Sequence, residues 1–433
     1  MPTLAVRLGH RTPMERSSRT RPVGRPCGPR GLASMDQRAV TSPRNCLSAR
    51  ILTALLAVVL VAGVAVSGSA AAPRAWTAAT VATGLDSPRG LAFTPKGTLL
   101  VAEAGHGGDV CTPTPAGQMC IGLSSQISTV DPADGSHRPL VAGLYSRSVT
   151  SEGITGVDGI SADGGRLAGV ITSFPQELDT WSCAGQPADC GDVLAGARAQ
   201  AGQLISFTRW GTWRPLAGVG GSDFEWAGLN PGWSTEPPNA NPYGLLAFPG
   251  GALVADAGAN TLDLVGADRR ISVLSAFAPP AAGGFPADTV PTCVASLRGR
   301  LYVASLSGHL WQVTGRSAPT DVPVVDGAGH SLIHHVTGCV TDERHGALYL
   351  VDMWGTPGPP VPTGPSSAAG TGSVVELSAN GTASVITGGL TFPNGIALAR
   401  DGSLYVTVDS TCTATGTPFP YCADGGGILR LHP

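Results

Sequence analysis

The sequence predicts an all-β fold, a six-bladed β-propeller of four-stranded blades, and three observations predict it. The first is a hairpin that recurs. Residues 390–409 read LTFPNGIALARDGSLYVTVD. Apolar residues alternate at Ile396, Leu398 and at Leu404, Val406, around the turn Arg400-Asp401-Gly402-Ser403, the pattern of two short strands and a tight turn. Relatives start at Leu85 (LDSPRGLAFTPKGTLLVAEAG), Asn241 (NPYGLLAFPGGALVADAG), Val290 (VPTCVASLRGRLYVASLSG) and His335 (HVTGCVTDERHGALYLVDMWG). A degraded copy, GVDGISADGGRLAGVITS, starts at Gly156. Self-similarity at a period of a few tens of residues marks a repeat architecture.

The second observation is a pair of further strands after each hairpin. They are predicted at 126–130 and 138–142 in the first repeat, 261–265 and 271–274 in the third, and 373–377 and 382–386 in the fifth. Each pair is split by turn formers such as Asp131-Pro132-Ala133-Asp134-Gly135 or Ala379-Asn380-Gly381. Four strands per unit and six units make a propeller. The third observation lies at the ends. The last unit stops after its third strand, Ile428-Leu429-Arg430-Leu431, and residues 77–83 are a strand with no unit of its own. Pairing the two closes the ring and removes an exposed edge.

Composition agrees. The chain has 433 residues, 13% of them charged, with 60 Gly and 36 Pro, a balance of many turns and few charges that suits short strands. An apolar share of 42% excludes a disordered chain. The net charge of −3, with no basic stripe in the repeats, gives no field for nucleic acid.

Residues 1–50 are Arg-rich and without periodicity; a sixteen-residue apolar stretch, 51–66, and the small residues Ser67-Gly68-Ser69-Ala70-Ala71-Ala72 come next. This is the order of a secretory signal. The expected division is a leader over 1–72, cleaved near its end, and one propeller domain over 73–433. Met35 is an alternative start that gives a leader of ordinary length. An uncleaved leader would be the chain's only link to a membrane, although a span wants about 20 apolar residues. The protein is expected to be extracellular and monomeric.

Ten cysteines are present, Cys27 and Cys46 in or before the leader and eight beyond it. Export permits disulfides. Cys111 and Cys120, Cys183 and Cys190, and Cys412 and Cys422 are local pairs, each framing a loop. Cys293 and Cys339 remain, read as standing where other repeats carry Gly90, Gly244 and Gly395, and are expected to bridge neighbouring repeats.

In an antiparallel blade with strands a to d, the a–b and c–d turns share one end and the b–c and d–a connections the other. The a–b turns are short, and the long segments 105–125, 173–202, 355–372 and 411–426 are b–c loops, while 218–240 is a d–a loop. One face is therefore bare, and the elaborated face is the expected ligand face.

LVADAGANTLDLV, starting at Leu253, looks like an NHL-type repeat, and residues 77–433 as a whole resemble the ScyD/ScyE family of secreted propellers. GLDSPRGLAFTPKGTLLVAEAG, NPYGLLAFPGGALVADAG and FPNGIALARDGSLYVTVDS carry the likeness. The last of these is also similar to a strand of gluconolactonase/regucalcin-type propellers, in which an Asn before the Gly coordinates a divalent ion near the central channel. Asn394 fits that position, and its equivalents are read as Arg89, Asp158, Tyr243, Thr292 and Gly338. The resemblance implies a ligand cluster, of which Asp158 and Asn394 are the members present, for Ca²⁺ or Mg²⁺. Arg89 in the same ring would repel a cation. In the plainer reading Arg89 and Asp158 pair and plug the channel, and no cofactor is bound.

Glu103, Asp256, Asp352 and Asp409 lie at or just past the end of strand b, and recurrence favours a framework role in accepting backbone N–H groups. His334 and His335, before strand a of the fifth blade, are candidates for a metal ligand or general base; His106 with Asp109 is a weaker one. Trp226, Trp233 and Trp354, with Trp181, fall in or beside the long loops, either to stack on a sugar or to bury loops lacking a core. Trp210, Trp213 and Trp311 are expected in blade packing. No nucleophile, zinc or nucleotide-binding signature occurs in a credible context.

The first functional reading is thus a secreted binding or scaffold propeller for a glycan, cell-surface or protein ligand, leaning against catalysis. The alternative is a metal-dependent, gluconolactonase-like hydrolase at the channel mouth. A quinone-dependent sugar dehydrogenase is a further alternative.

Overall fold

The structure is a computed structural model that describes residues 76–150, 153–280, 285–355, 367–414 and 420–433. The predicted leader, with Met35, Cys27 and Cys46, lies outside the described residues.

Six antiparallel sheets form the propeller. Their inner strands a are Pro88–Phe93, Val157–Ser161, Pro242–Phe248, Pro291–Leu297, Val336–Asp342 and Ile396–Leu398. Each packs against strand a of the blades on both sides, so they line one ring. Strand Thr77–Leu85 pairs with Gly426–His432, Thr77 opposite His432 and Leu85 opposite Gly426, and so supplies the outer strand of the last blade. The ring is closed between the two ends of the domain, as the repeat pattern predicts.

Apolar residues at every second position put one side chain into each seam between blades. Leu253, Leu262 and Phe277 of the third blade meet Val294, Val303 and Val313 of the fourth. Ala347, Tyr349 and Val351 of the fifth meet Ile396, Leu404 and Val406 of the sixth. The core is a set of inter-blade seams, which is why a single blade cannot be stable alone.

The first and fourth blades depart from the plan. In the first, Gly117–Val130 and His137–Val149 run far beyond the predicted strands and add Val110–Thr114 and Gly153–Thr155 to the sheet. The loop read at 105–125 is therefore largely a hairpin, with Cys111 opposite Cys120. In the fourth, the outer strand is only Thr320–Asp321. Two insertions are helical: α1 (Cys190–Gln200) between strands b and c of the second blade, and α2 (Val219–Leu229) between the second and third blades.

All four predicted disulfides are present. Cys111–Cys120, Cys183–Cys190 and Cys412–Cys422 staple local loops, and Cys293–Cys339 joins the inner strands of blades four and five at a Cα–Cα distance of 5.9 Å. The register corrects one equivalence. Gly244, Cys293 and Gly338 lie opposite Ala255, Ala304 and Val351 at matching points of their hairpins, so Cys339 stands one residue beyond the recurring Gly. The fifth-blade equivalent of Asn394 is accordingly Thr337, not Gly338. Sequence places both one residue late because Thr337-Gly338-Cys339 matches the repeat in two registers.

That recurring Gly is required by space. A Cβ on Gly90 would lie 2.7 Å from Asp158 O, and one on Gly244 2.7 Å from Thr292 O. Inner strands approach that closely only without side chains between them.

Candidate functional site

The corrected register brings Arg89, Asp158, Tyr243, Thr292, Thr337 and Asn394 to the same level, one from each blade, where strand a starts at the elaborated face. Arg89 is 7% exposed and Asp158 2%. Arg89 Nε donates to Asp158 Oδ1 at 3.2 Å, Nη1 to Ser410 O at 3.0 Å, and Nη2 to Ile154 O. Asp158 Oδ2 accepts from Thr172 Oγ1 at 3.0 Å. Burial pushes the Asp158 carboxyl up to about 6, against the pull of Arg89 and Thr172. Across the channel, Tyr243 Oη lies 2.9 Å from Asn394 Oδ1 and 2.7 Å from its Nδ2. Burial pushes the Tyr243 phenol up to about 12. The cavity left among these groups is ≈ 70 Å³, room for a water or two.

The residues do not fit a channel-bound divalent ion. Both Asp158 oxygens and the Asn394 carbonyl already have partners, and the Arg89 guanidinium occupies the same ring. Among the described residues no group of three His, Cys, Asp or Glu side chains is placed to hold a metal ion. The Arg–Asp plug is the arrangement present.

The strand-b acids separate into two kinds. Glu103 Oε2 accepts from Asp86 N at 2.7 Å, and Asp256 Oδ1 from the N–H groups of Asn241, Gly258 and Ala259. Asp352 Oδ1 accepts from His334 N and His335 N. These three hold the chain where it enters strand a, the framework role. Asp409 is one residue out of step, since Val408 lies opposite Gly427 where Asp352 lies opposite Ser373. It adopts φ +52°, and burial followed by repulsion from Asp424 raises its carboxyl to about 6.

His335 is buried and stacks on Trp354 with centroids 3.9 Å apart, its Nδ1 3.0 Å from Trp354 O. Burial lowers its pKa. Trp354 is buried in a small cluster with Phe392 and Ala368. His334 Nδ1 lies 3.5 Å from Asp352 Oδ2. His106 does not pair with Asp109. Its Nδ1 is 2.6 Å from Asp86 Oδ2, because the turn into strand a brings Asp86 beneath it.

A larger concavity lies on the rim between blades three and four. Trp226 on α2, Trp233, the outer strand Ile271–Ala276, Trp311 and Arg316 line a groove of ≈ 960 Å³. It is open because the two-residue outer strand of blade four covers only Trp311 and Gln312. Trp311 takes part in blade packing as expected, against the seam between blades three and four, where it meets Phe277 with ring centroids 4.9 Å apart, and its remaining surface lines this groove. Trp210, by contrast, is not in blade packing: it is 78% exposed on a turn, with Arg209 over its ring. Two of the loop tryptophans, Trp226 and Trp233, are thus brought together away from Arg89, Asp158 and Asn394.

No family model matches the chain, and no curated protein matches it. The ScyD/ScyE resemblance therefore rests on the residues quoted for it. Solved propellers do match. One is a gluconolactonase from Xanthomonas campestris, 10% identical, TM-score 0.46, covering 82% of this chain and 88% of that one. Another is the PQQ-bound aldose sugar dehydrogenase of Streptomyces coelicolor, 14% identical, TM-score 0.43, covering 83% and 99%. A third is virginiamycin B lyase from Staphylococcus aureus with quinupristin, 12% identical, TM-score 0.41, covering 83% and 99%. The likeness is one of fold. The lean against catalysis is corrected to the extent that the fold itself does not support it: a gluconolactonase, an aldose sugar dehydrogenase and a virginiamycin B lyase are among the matched propellers. Missing sequence signatures are no ground for setting an enzyme aside.

Proposed function

We propose that the chain is an exported propeller that acts on carbohydrate, with the rim groove between blades three and four as its saccharide site. One observation carries this reading: Trp226 and Trp233 of the 218–240 insertion and Trp311 of the fourth blade line one groove, together with several serines. Indole faces stack on the C–H faces of sugar rings, while hydroxyls and main-chain edges take the sugar's own hydroxyls. The groove's charged residue is Arg316, which favours a saccharide bearing a carboxylate. The four disulfides fit an oxidising compartment. A channel-bound metal forms no part of the reading.

The test is calorimetry with neutral and uronate oligosaccharides, then product analysis on any that bind. Trp226→Ala and Trp311→Ala should each weaken binding, and Arg316→Ala should weaken the uronate ligands selectively. If no oligosaccharide binds, or if the tryptophan variants bind as well as the parent, the groove is not the saccharide site.

A further inference from the structure

The blade beneath the groove contains a cluster of acids that the repeat does not explain. In the first blade Glu103 is satisfied by the facing strand: its Oε1 accepts from Gln126 Nε2 at 2.8 Å and from Ser128 Oγ. The third blade has the same register. Thr261 lies opposite Asp256 as Gln126 lies opposite Glu103, and Asp263 opposite Val254 as Ser128 lies opposite Val101. A second carboxyl therefore stands where the first blade has a donor. Helix α2 adds Asp223 as a third.

Asp223, Asp256 and Asp263 are each 0% exposed. Thr261 Oγ1 donates to Asp263 Oδ2 at 2.7 Å, and backbone N–H groups donate to Asp256 Oδ1. Asp256 Oδ2, Asp263 Oδ1 and both oxygens of Asp223 have no donor. Ionised carboxylates only accept, and three of them in mutual contact cannot all stay charged. Among the described residues no cation pairs with them. Of the elements packed on α2, the turn Pro175–Leu178 offers Glu177, whose oxygens bind Arg147 and Ser173. Strand Gln203–Phe207 and the turn Pro231–Trp233 carry no ionisable side chain, and Glu225 of α2 itself is exposed. Protons shared among the three carboxyls would satisfy these oxygens.

The geometry points to a proton-shared carboxyl clasp, in which Asp223, bonded through O–H groups to Asp256 and Asp263, positions α2 and is undone as pH rises. On the reading that the groove binds saccharide, the clasp positions one of its walls, because Trp226 lies one helical turn beyond Asp223. The direction of the pH effect agrees. Burial first, then repulsion within the trio, raises Asp223 well above the carboxylate range. Burial likewise raises Asp256, and raises Asp263 to about 7. Folded-state values above the unfolded ones mean that the clasp is complete below about pH 4, the unfolded value, and is lost as pH rises through the folded values.

The test is hydrogen exchange by mass spectrometry on the full propeller between pH 5 and pH 9, with intrinsic rates corrected and no sugar present. Protection of α2 should fall with rising pH in the parent. Asp263→Ser, which copies the first blade, should remove roughly one proton's worth of that dependence. Asp223→Asn, with urea unfolding as a second readout, should do the same. Protection that is flat from pH 5 to pH 9 overturns the proposal, and so does an unchanged profile in Asp263→Ser. Saturable restoration of protection by added Ca²⁺ at pH 8 also overturns it, since a metal ion would then be the counter-charge. The measurement is independent of sugar, so failed saccharide binding and a failed clasp are told apart.

Discussion

Replacing Arg89 by methionine tests what closes the channel. The substitution keeps much of the aliphatic bulk and removes the one cation that bridges Asp158, Ile154 O and Ser410 O. Asp158 is then a buried carboxylate with Thr172 as its remaining side-chain donor. Removing one partner of a buried ion pair costs about 3–5 kcal/mol, mostly for stranding the other charge. The cost should depend on pH in a fixed sense. In the parent, burial holds Asp158 at about 6 despite Arg89, so stability is fullest below 3.8 and falls as pH rises through about 6. That rise amounts to about 3 kcal/mol. Without Arg89 the carboxyl titrates higher still, so the loss deepens toward pH 8 and shrinks toward pH 5. Urea unfolding monitored by tryptophan fluorescence at both pH values measures it. Arg89→Met combined with Asp158→Asn should recover most of the loss, because no charge is left stranded. A loss under about 1 kcal/mol, or one equal at pH 5 and pH 8, would refute the buried plug.

The same geometry makes further outcomes measurable. Replacing Cys293 and Cys339 together by alanine should cost about 4 kcal/mol in urea unfolding, from the chain entropy of a 46-residue separation. Opening Cys111–Cys120 should cost only about 2.5 kcal/mol for its separation of 9; equal losses would contradict the loop-length argument. Gly90→Ala should destabilise by about 1–3 kcal/mol through overpacking, because the new methyl meets Asp158 O at 2.7 Å; a neutral outcome would mean that the inner strands can part. Trp311→Ala should weaken saccharide affinity about tenfold, roughly 1.4 kcal/mol of lost stacking, with no change in the α2 exchange profile.

How far the sequence reaches is clearest at particular residues. The hairpin at 390–409 and its copies identify the fold because period-2 alternation and turn glycines are local properties. The local cysteine pairs are legible for the same reason. Glu103, Asp256 and Asp352 are recognisable as framework from recurrence alone. Thr337 escapes a reading of the sequence because one residue of slip in the fifth repeat leaves a plausible pattern, and only the cross-strand partners settle the register. Helix α2 has no side-chain hydrogen bond at its N-cap, Gly218, and glycines stand at 220 and 221 near its start, so local propensity does not announce it.

By itself the sequence determined the repeat, its closure by the N-terminal strand, the elaborated face and the four disulfide pairings. Each is set by spacing along the chain. The tertiary structure decided the rest: that Arg89 and Asp158 plug the channel, that Trp226, Trp233 and Trp311 share a groove, and that Asp223 meets Asp256 and Asp263. Those residues are brought together by how blades and insertions pack across the ring. No periodicity encodes such contacts, since their partners lie on separate elements and are joined only through the packing of the ring.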